Sequence, residues 1–330
     1  MNAWMGVAMG LTAAASWATG SLVLRPILDS RTPRSGYELP RPEAVNFFKN
    51  LLAFAAFGVV WAIVGGSVQS EQAWLGLLVS GAIGFALGDT LFFAAIPLCG
   101  VQTTAVVSQL NVPLSVLMCW VWLDEALSLH QLGAIAVTLL GVCLVLMSGD
   151  DGRNRDRSHS PSEEERQLWR QGTVRAFGCA VLFSTSIVLG HGSFAQADVV
   201  AGSMARLIGG LIGGLLMAAC SQAFRRARSS EETGRAGADL VSLLAPLRNR
   251  RLLLVLLPGC IFASVLALLP FGYSLKALEG GMASVLGSTT PIFAMLLSVA
   301  MGQRPKGLAI IGTLIVFAGV AGLGLTAAAG

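Results

Sequence analysis

Residues 129–148 read LHQLGAIAVTLLGVCLVLMS and contain no Asp, Glu, Lys or Arg, and residues 307–327, GLAIIGTLIVFAGVAGLGLTA, have the same character. A helix rises 1.5 Å per residue, so about 20 residues cross a hydrocarbon layer of about 30 Å. Charge-free blocks of that length constrain a chain more than any short motif does. Lipid offers the backbone no hydrogen-bond partners, so a spanning segment is either a helix or a strand of a closed barrel. Barrel strands alternate apolar and polar residues over about ten positions, whereas these blocks are apolar throughout. The fold class read from them is an all-α polytopic membrane protein. Composition agrees: the 330 residues are 54% hydrophobic and 12% charged, where a soluble domain carries about 25% charged residues.

Ten spans are expected, at 3–24, 43–65, 73–97, 101–123, 129–148, 173–196, 199–223, 252–275, 280–301 and 307–327. The first run, MNAWMGVAMG, has no Lys or Arg ahead of it, unlike a cleaved leader, and is read as a retained helix. Two loops are long and polar, 149–171 and 225–250. In the first, Ser162 precedes Glu165 with the spacing of a capping box. Either a short interfacial helix with Trp169 at the membrane surface or a flexible linker is expected there. The six cysteines, Cys99, Cys119, Cys143, Cys179, Cys220 and Cys260, lie singly in apolar segments and are read as inert buried thiols. With no CxxC or Cys/His spacing, neither a metal nor a cofactor is implied.

The basic residues are unevenly placed. Nineteen fall in the loops after spans 1, 5, 7 and 9 and on their flanks: four from Arg25 to Arg41, six from Arg153 to Arg175, seven from Arg225 to Arg251, and Arg304 with Lys306. The opposite loops hold only Lys276, while Lys49 and Arg206 lie within spans. The positive-inside rule then puts the odd-numbered loops in the cytoplasm and both termini outside, with a bacterial inner membrane as the expected location.

The chain also repeats itself. Pro113 and Pro291 are 178 positions apart, and the same offset pairs Ala105 with Ala283, Val107 with Val285 and Gly141 with Gly319. Upstream an offset of 168 pairs Gly10 with Gly178 and Ser16 with Ser184, and Lys49 answers to Arg206 as a lone base in the second span of each half. These pairs divide the chain into a first five-helix repeat (1–148), a polar cytoplasmic linker (149–171) and a second five-helix repeat (172–330). Five is odd, so the second repeat enters the membrane upside down. Inverted repeats are a common architecture of secondary transporters, with a substrate site near the midplane. Each proline is read as lying mid-helix, where it withholds a hydrogen bond from the carbonyl four residues back, Gln109 or Gly287. Backbone left unpaired at that depth is tolerated beside a cavity or packed protein. A substrate path is one reading of these positions; a kink kept for packing is the other.

The two halves, the prolines of spans 4 and 9, the bases Lys49 and Arg206, and the closing runs LGAIAVTLLGVCLVL (132–146) and IIGTLIVFAGVAGLGL (310–325) together resemble the drug/metabolite transporter superfamily, in its ten-helix EamA-like branch. The resemblance covers nearly the whole chain and implies a membrane transporter rather than an enzyme. In such families an acid closes the proline helix in an LGE-like turn. Here Leu123-Asp124-Glu125 stands in the first half and Met301-Gly302-Gln303 in the second, so the second turn lacks the acid.

Thr104, Ser108, Asn111 and Ser115 follow at steps of four, three and four and share one face of span 4. Such a stripe lines a cavity or bonds a neighbouring helix. Ser16, Ser184, Ser284 and Ser288, with Pro113 and Pro291, complete the substrate-cavity candidates. Asp89 is the one acid well inside a span. Intramembrane carboxylates are functional by default, and the alternative is a structural ion pair with Lys49. Asp89, Lys49 and Arg206 are therefore the coupling candidates. The overlapping GxxxG pairs Gly209/Gly213 and Gly210/Gly214 are read as a close-packing face.

The expected function is a secondary transporter, exporting a small amino-acid-like or drug-like metabolite, with protons as the candidate coupling ion. The expected partners are that small molecule and the lipid bilayer, with no nucleic acid. A channel or lipid scramblase without ion coupling is the first alternative. An intramembrane enzyme is the second, and it is disfavoured because no GxSG serine, HxxxH pair or phosphate loop is present.

Overall fold

The computed structural model describes residues 3–28, 41–123, 128–148, 162–228, 243–244, 250–277, 286–303 and 305–327. Most of these residues are helical, and the only strand-like pairing among them is a single antiparallel bridge, Val68 to Ala197. The first half contains α1 (Ala3–Leu28), α2 (Pro42–Val64), α3 (Glu71–Gly81), the π-helix π1 (Ala82–Gly88), α4 (Asp89–Cys99), α5 (Val101–Ser108), α6 (Asn111–Leu123) and α7 (Leu129–Ser148). The second contains α8 (Glu163–Ala195), α9 (Val199–Arg228), α10 (Arg250–Cys260), the π-helix π2 (Ile261–Val265), α11 (Leu266–Ala277), α12 (Thr290–Ala300) and α13 (Gly307–Ala327).

Among the described residues, 7 helices are long and apolar enough to cross a membrane: Trp4–Arg25, Pro42–Val64, Glu71–Cys99, Leu129–Met147, Glu163–Gly190, Val199–Ala223 and Leu252–Ser274. Thr290–Ala300 and Gly307–Gly322 are apolar but shorter. The expected span 101–123 divides at residues 109–110 into α5 and α6, neither of them long enough to cross alone. Large apolar side chains such as Val59, Ile63, Leu140, Met147, Val174 and Leu314 stay exposed on the outside of the bundle. That surface is what a hydrocarbon solvent requires.

Packing partners repeat between the halves. The α3–π1–α4 rod lies against α8, and its counterpart α10–π2–α11 lies against α1. Likewise α6 packs on α8, α12 packs on α1, and α7 and α13 pack on each other. Glycines permit the closest approaches. A Cβ on Gly141 would stand 2.8 Å from the Gly312 carbonyl, and one on Gly312 would stand 2.8 Å from the Gly141 carbonyl. A Cβ on Gly209 would strike the Leu78 carbonyl, and one on Gly213 would meet Ala86 and Ala82 at 2.9 and 3.1 Å. The GxxxG face of α9 thus seats on α3 and π1, as its small residues imply.

The loops at one end meet. Gln69 N–H donates to the Gln196 carbonyl at 2.9 Å, Asp198 N–H donates to the Ser67 carbonyl at 3.0 Å, and Ser67 N–H donates to Asp198 Oδ2 at 3.0 Å. The loop after α2 and the loop after α8 therefore share one face of the molecule. At the start of α8 the capping box forms, with Ser162 N–H on Glu165 Oε2 at 3.0 Å and Glu165 N–H on Ser162 Oγ at 3.2 Å. It opens one continuous helix of 33 residues instead of a separate interfacial helix. Trp169 accordingly packs against the apolar cluster of Val106, Val142 and Val316.

Candidate functional site

The polar centre of the first half is built from α2 and the α3–π1–α4 rod. Asn46, Lys49 and Asn50 are three and four residues apart and share one helical face; each is buried. They face π1. A π-helix bonds i to i+5 in place of i+4 and so carries an extra residue, which leaves carbonyls poorly paired. Unpaired carbonyls at membrane depth cost several kcal/mol each, and asparagine supplies the missing donors. Asn46 Nδ2 donates to the Phe85 carbonyl at 2.7 Å, the Ala86 carbonyl at 3.1 Å and Thr90 Oγ1 at 3.0 Å, and Asn50 Nδ2 reaches the Phe85 carbonyl at 3.0 Å. Asp89 is the residue immediately after π1, and its carboxylate forms an ion pair with the Lys49 ammonium. Side-chain exposures of 6% for Lys49 and 17% for Asp89 place the pair out of bulk water.

Arg206, half-buried on α9, reaches the same place from the other half. Its guanidinium carbon stands 4.5 Å from the centre of the Phe85 ring, and Lys49 Nζ stands 6.0 Å from that centre. Both cations therefore stand beside one aromatic ring, an attraction of about 0.5–2 kcal/mol each. Arg206 also donates to Ser186 Oγ at 3.1 Å. Ser186 is fixed by a reciprocal clasp: Ser186 Oγ donates to the Ser80 carbonyl at 2.7 Å and Ser80 Oγ donates to the Ser186 carbonyl at 2.8 Å. Gly84 makes room, since a Cβ there would stand 2.5 Å from Ser186 Oγ. Asp89 is near enough to act electrostatically on Arg206 as well as on Lys49.

The two prolines do not lie mid-helix. Residues 109–110 form a turn before α6, which places Pro113 in its first turn, and residues 288–289 form a turn before α12, which places Pro291 second in that helix. Proline is tolerated there because first-turn N–H groups have no intrahelical partner. The carbonyls opposite them are satisfied: that of Gln109 accepts Val112 N–H at 3.1 Å, and that of Gly287 accepts Thr290 Oγ1 at 2.7 Å. What the prolines mark is a break in the backbone of each half. The first break is bridged to α8, because Ser184 Oγ donates to the Asn111 carbonyl at 2.8 Å.

The family model for EamA-like transporters matches residues 4–147 and again 170–325. The chain belongs to the EamA-like transporter family. Each match covers one half, so the sequence repeat and the repeated packing describe one two-repeat architecture. No curated protein matches the chain. Among solved structures 25 chains match. One, described only as the crystal structure of a protein, aligns over 98% of this chain and 98% of its own with a TM-score of 0.56 and 16% identity, a likeness that shows the fold alone.

Within this transporter the residues singled out from sequence separate into groups. Lys49, Asp89 and Arg206 come together. Asn111 and Ser184 come together at the first break, where Asn111 Oδ1 is buried without a hydrogen-bond partner. Pro291 and Ser288 are buried at the second break, and Gly287 there faces Phe271, whose ring meets Trp17 edge-on at 5.0 Å. Thr104 and Ser108 bond backbone of their own helix, at Gly100 and Ala105, and the turn at 109–110 separates them from Asn111 and Ser115. Ser16 is buried on α1. Ser284, Asp124 and Glu125 lie outside the described residues. Of the cysteines, Cys99, Cys179 and Cys260 are buried, whereas Cys143 and Cys220 are exposed, and none of these five is in a disulfide among the described residues. Sequence reasoning missed Asn46, Asn50, Phe85 and Ser80. The signal was present in NFFKN (46–50), where two amides flank the lysine on an otherwise apolar helix.

Proposed function

We propose that this transporter is a proton-coupled secondary carrier that exports a small metabolite through a path between two inverted five-helix repeats. The observation that carries the reading is the Lys49–Asp89 pair: a carboxylate at membrane depth, held by a base on a different helix and placed directly after a π-helix. The two partners sit on different helices, so a shift that parts α2 from α4 would break the ion pair, and that event is the proposed coupling step. The sites expected to meet substrate are the backbone breaks at 109–110 and 288–289, with Asn111, Ser184 and Ser288 around them. Packing of α5 on α12 sets the two broken helices against each other.

Inversion is supported by the clasp between the loops after α2 and after α8. The loop after α8 is the repeat counterpart of the loop after α1, yet it is bonded to the opposite end of α2. Ten helices crossing the membrane follow if α5 with α6, α12 and α13 complete the seven long spans. The lopsided charge then puts both termini outside the cytoplasm. A C-terminal reporter that fluoresces only in the cytoplasm should stay dark. Purified protein in proteoliposomes tests the transport reading: substrate flux should reverse when the imposed pH gradient is reversed, and flux indifferent to both gradients would favour a channel.

A further inference from the structure

The two partners of the ion pair differ in how they are anchored. Residues 67–70 lead into α3, the start of the rod that carries Asp89, and they are fastened in place. Ser70 Oγ accepts Ala73 N–H at 3.2 Å as the cap of α3 and donates to Gln196 Oε1 at 2.8 Å. With the Val68–Ala197 bridge and the bonds of Ser67, Gln69 and Asp198, this ties the segment to the loop between α8 and α9. Lys49 stands on α2, which ends at Val64. Between α2 and the fastened segment lie only Gly65 and Gly66, with φ of 74° and 123°. Glycine visits such angles without a steric penalty. A Cβ on Gly65 would meet nothing within 4 Å, so the joint turns in open space. One side chain spans it: Trp61 Nε1, on the last turn of α2, donates to the Gly66 carbonyl at 2.9 Å.

The surface along which α2 would move is smooth at two points. On α9, Gly210 lies opposite Asn50 and Gly214 lies opposite the Phe47 ring, and neither offers a side chain to interlock with α2. Asn46, Lys49 and Asn50 share one face, so they leave π1 and Asp89 together. Lys49 precedes Trp61 by 12 residues, roughly 18 Å along the helix, so a tilt of about 10° about the glycines carries it about 3 Å. That is enough to break an ion pair. We propose that Gly65–Gly66 is the hinge on which α2 swings to open the Lys49–Asp89 pair, and that the Trp61 indole holds this hinge shut. The proposal rests on the reading of that pair as the coupling element, and not on the substrate or the direction of transport.

Labelling of Asp89 by dicyclohexylcarbodiimide tests this without a substrate. The reagent dissolves in the apolar phase, adds to an un-ionised carboxyl group and spares one held in an ion pair. Its attachment to the purified protein is followed by mass spectrometry at one fixed pH. Trp61→Phe removes the donor and keeps an aromatic ring at an exposed site. It should raise the labelling rate at Asp89 by roughly 2- to 10-fold, the range that one ordinary hydrogen bond is worth. Insertion of two glycines after Gly65 slackens the joint and should raise the rate at least as far. Trp74→Phe, which alters another exposed indole, on α3, should leave it unchanged. So should a disulfide from Val68→Cys with Ala197→Cys, which ties residues on the Asp89 side of the joint only. The inference is overturned if either hinge variant labels Asp89 at the wild-type rate, or if Trp74→Phe or the disulfide alters the rate as much as Trp61→Phe does. Labelling of wild-type Asp89 that is indifferent to both hinge variants leaves the coupling reading standing and removes the hinge. No labelling of Asp89 in any of these forms means that the pair does not open, and removes both.

Discussion

The two halves share a backbone device and differ in what they mount on it. In each, the third rod begins with an 11-residue helix, passes through a π-helix and resumes as α-helix. In the first half two asparagines cap the π carbonyls and the next residue is Asp89. In the second, Ser264 Oγ bonds back to the Cys260 carbonyl at 2.6 Å, α1 presses in at Gly20, and no acid follows. At the repeat offset of 178, Asp89 falls on Ala267, which is fully buried. The base of the second half, Arg206, turns instead toward Phe85 and Ser186. The π-helix is therefore separable from the charge, and one carboxylate serves cations from both halves.

Making the halves alike should do the most damage. Ala267→Asp places an acid where Asp89 stands in the repeat, but the base that should answer it is committed elsewhere. A buried carboxylate without its base is expected to abolish folded protein, read as the loss of a monodisperse peak in detergent. Next comes Lys49→Ala, which orphans Asp89 and should cost about 3 kcal/mol of stability. Adding Asp89→Ala should recover much of that loss in thermal unfolding. Asp89→Asn keeps an oxygen for the Lys49 ammonium, so folded yield should change less, while pH-driven flux in proteoliposomes falls to the level of empty vesicles. Normal flux would move coupling away from the first half. Smallest of all are Pro113→Ala and Pro291→Ala, which alter first-turn residues whose opposing carbonyls are already bonded. Each should stay within about 1 kcal/mol of wild-type stability.

The fold class was legible because lipid imposes length and apolarity on every segment that crosses it, and runs such as 129–148 meet both demands. The pairing of Lys49 with Asp89 was legible because each is a lone charge well inside an apolar span. The helix breaks were not, because a proline reads alike in the interior of a helix and in its first turn; what differs is the turn that precedes it, and SQLN and GSTT have no strong breaker beyond one glycine. The π-helices were hidden for a related reason. GAIGFALGD fits an ordinary helix, and the evidence that it is not one lies in Asn46 and Asn50, some 35 to 40 residues away. Local pattern records periodicity; it does not record which carbonyls a distant amide will need to satisfy.

A π-helix is an α-helix carrying an inserted residue, and Asp89 owes its direction to that insertion. Each residue of an α-helix advances about 100° around the axis. Removing one residue from 82–88 would let the rod relax to regular winding and swing one flank by that angle relative to the other. If the flank fixed by the Ser80–Ser186 clasp held still, Asp89 would leave Lys49, and a neighbouring side chain of TLFF would take its bearing. A single in-frame codon deletion thus acts on this transporter as a rotation, changing which residue faces the partner helix without substituting any side chain.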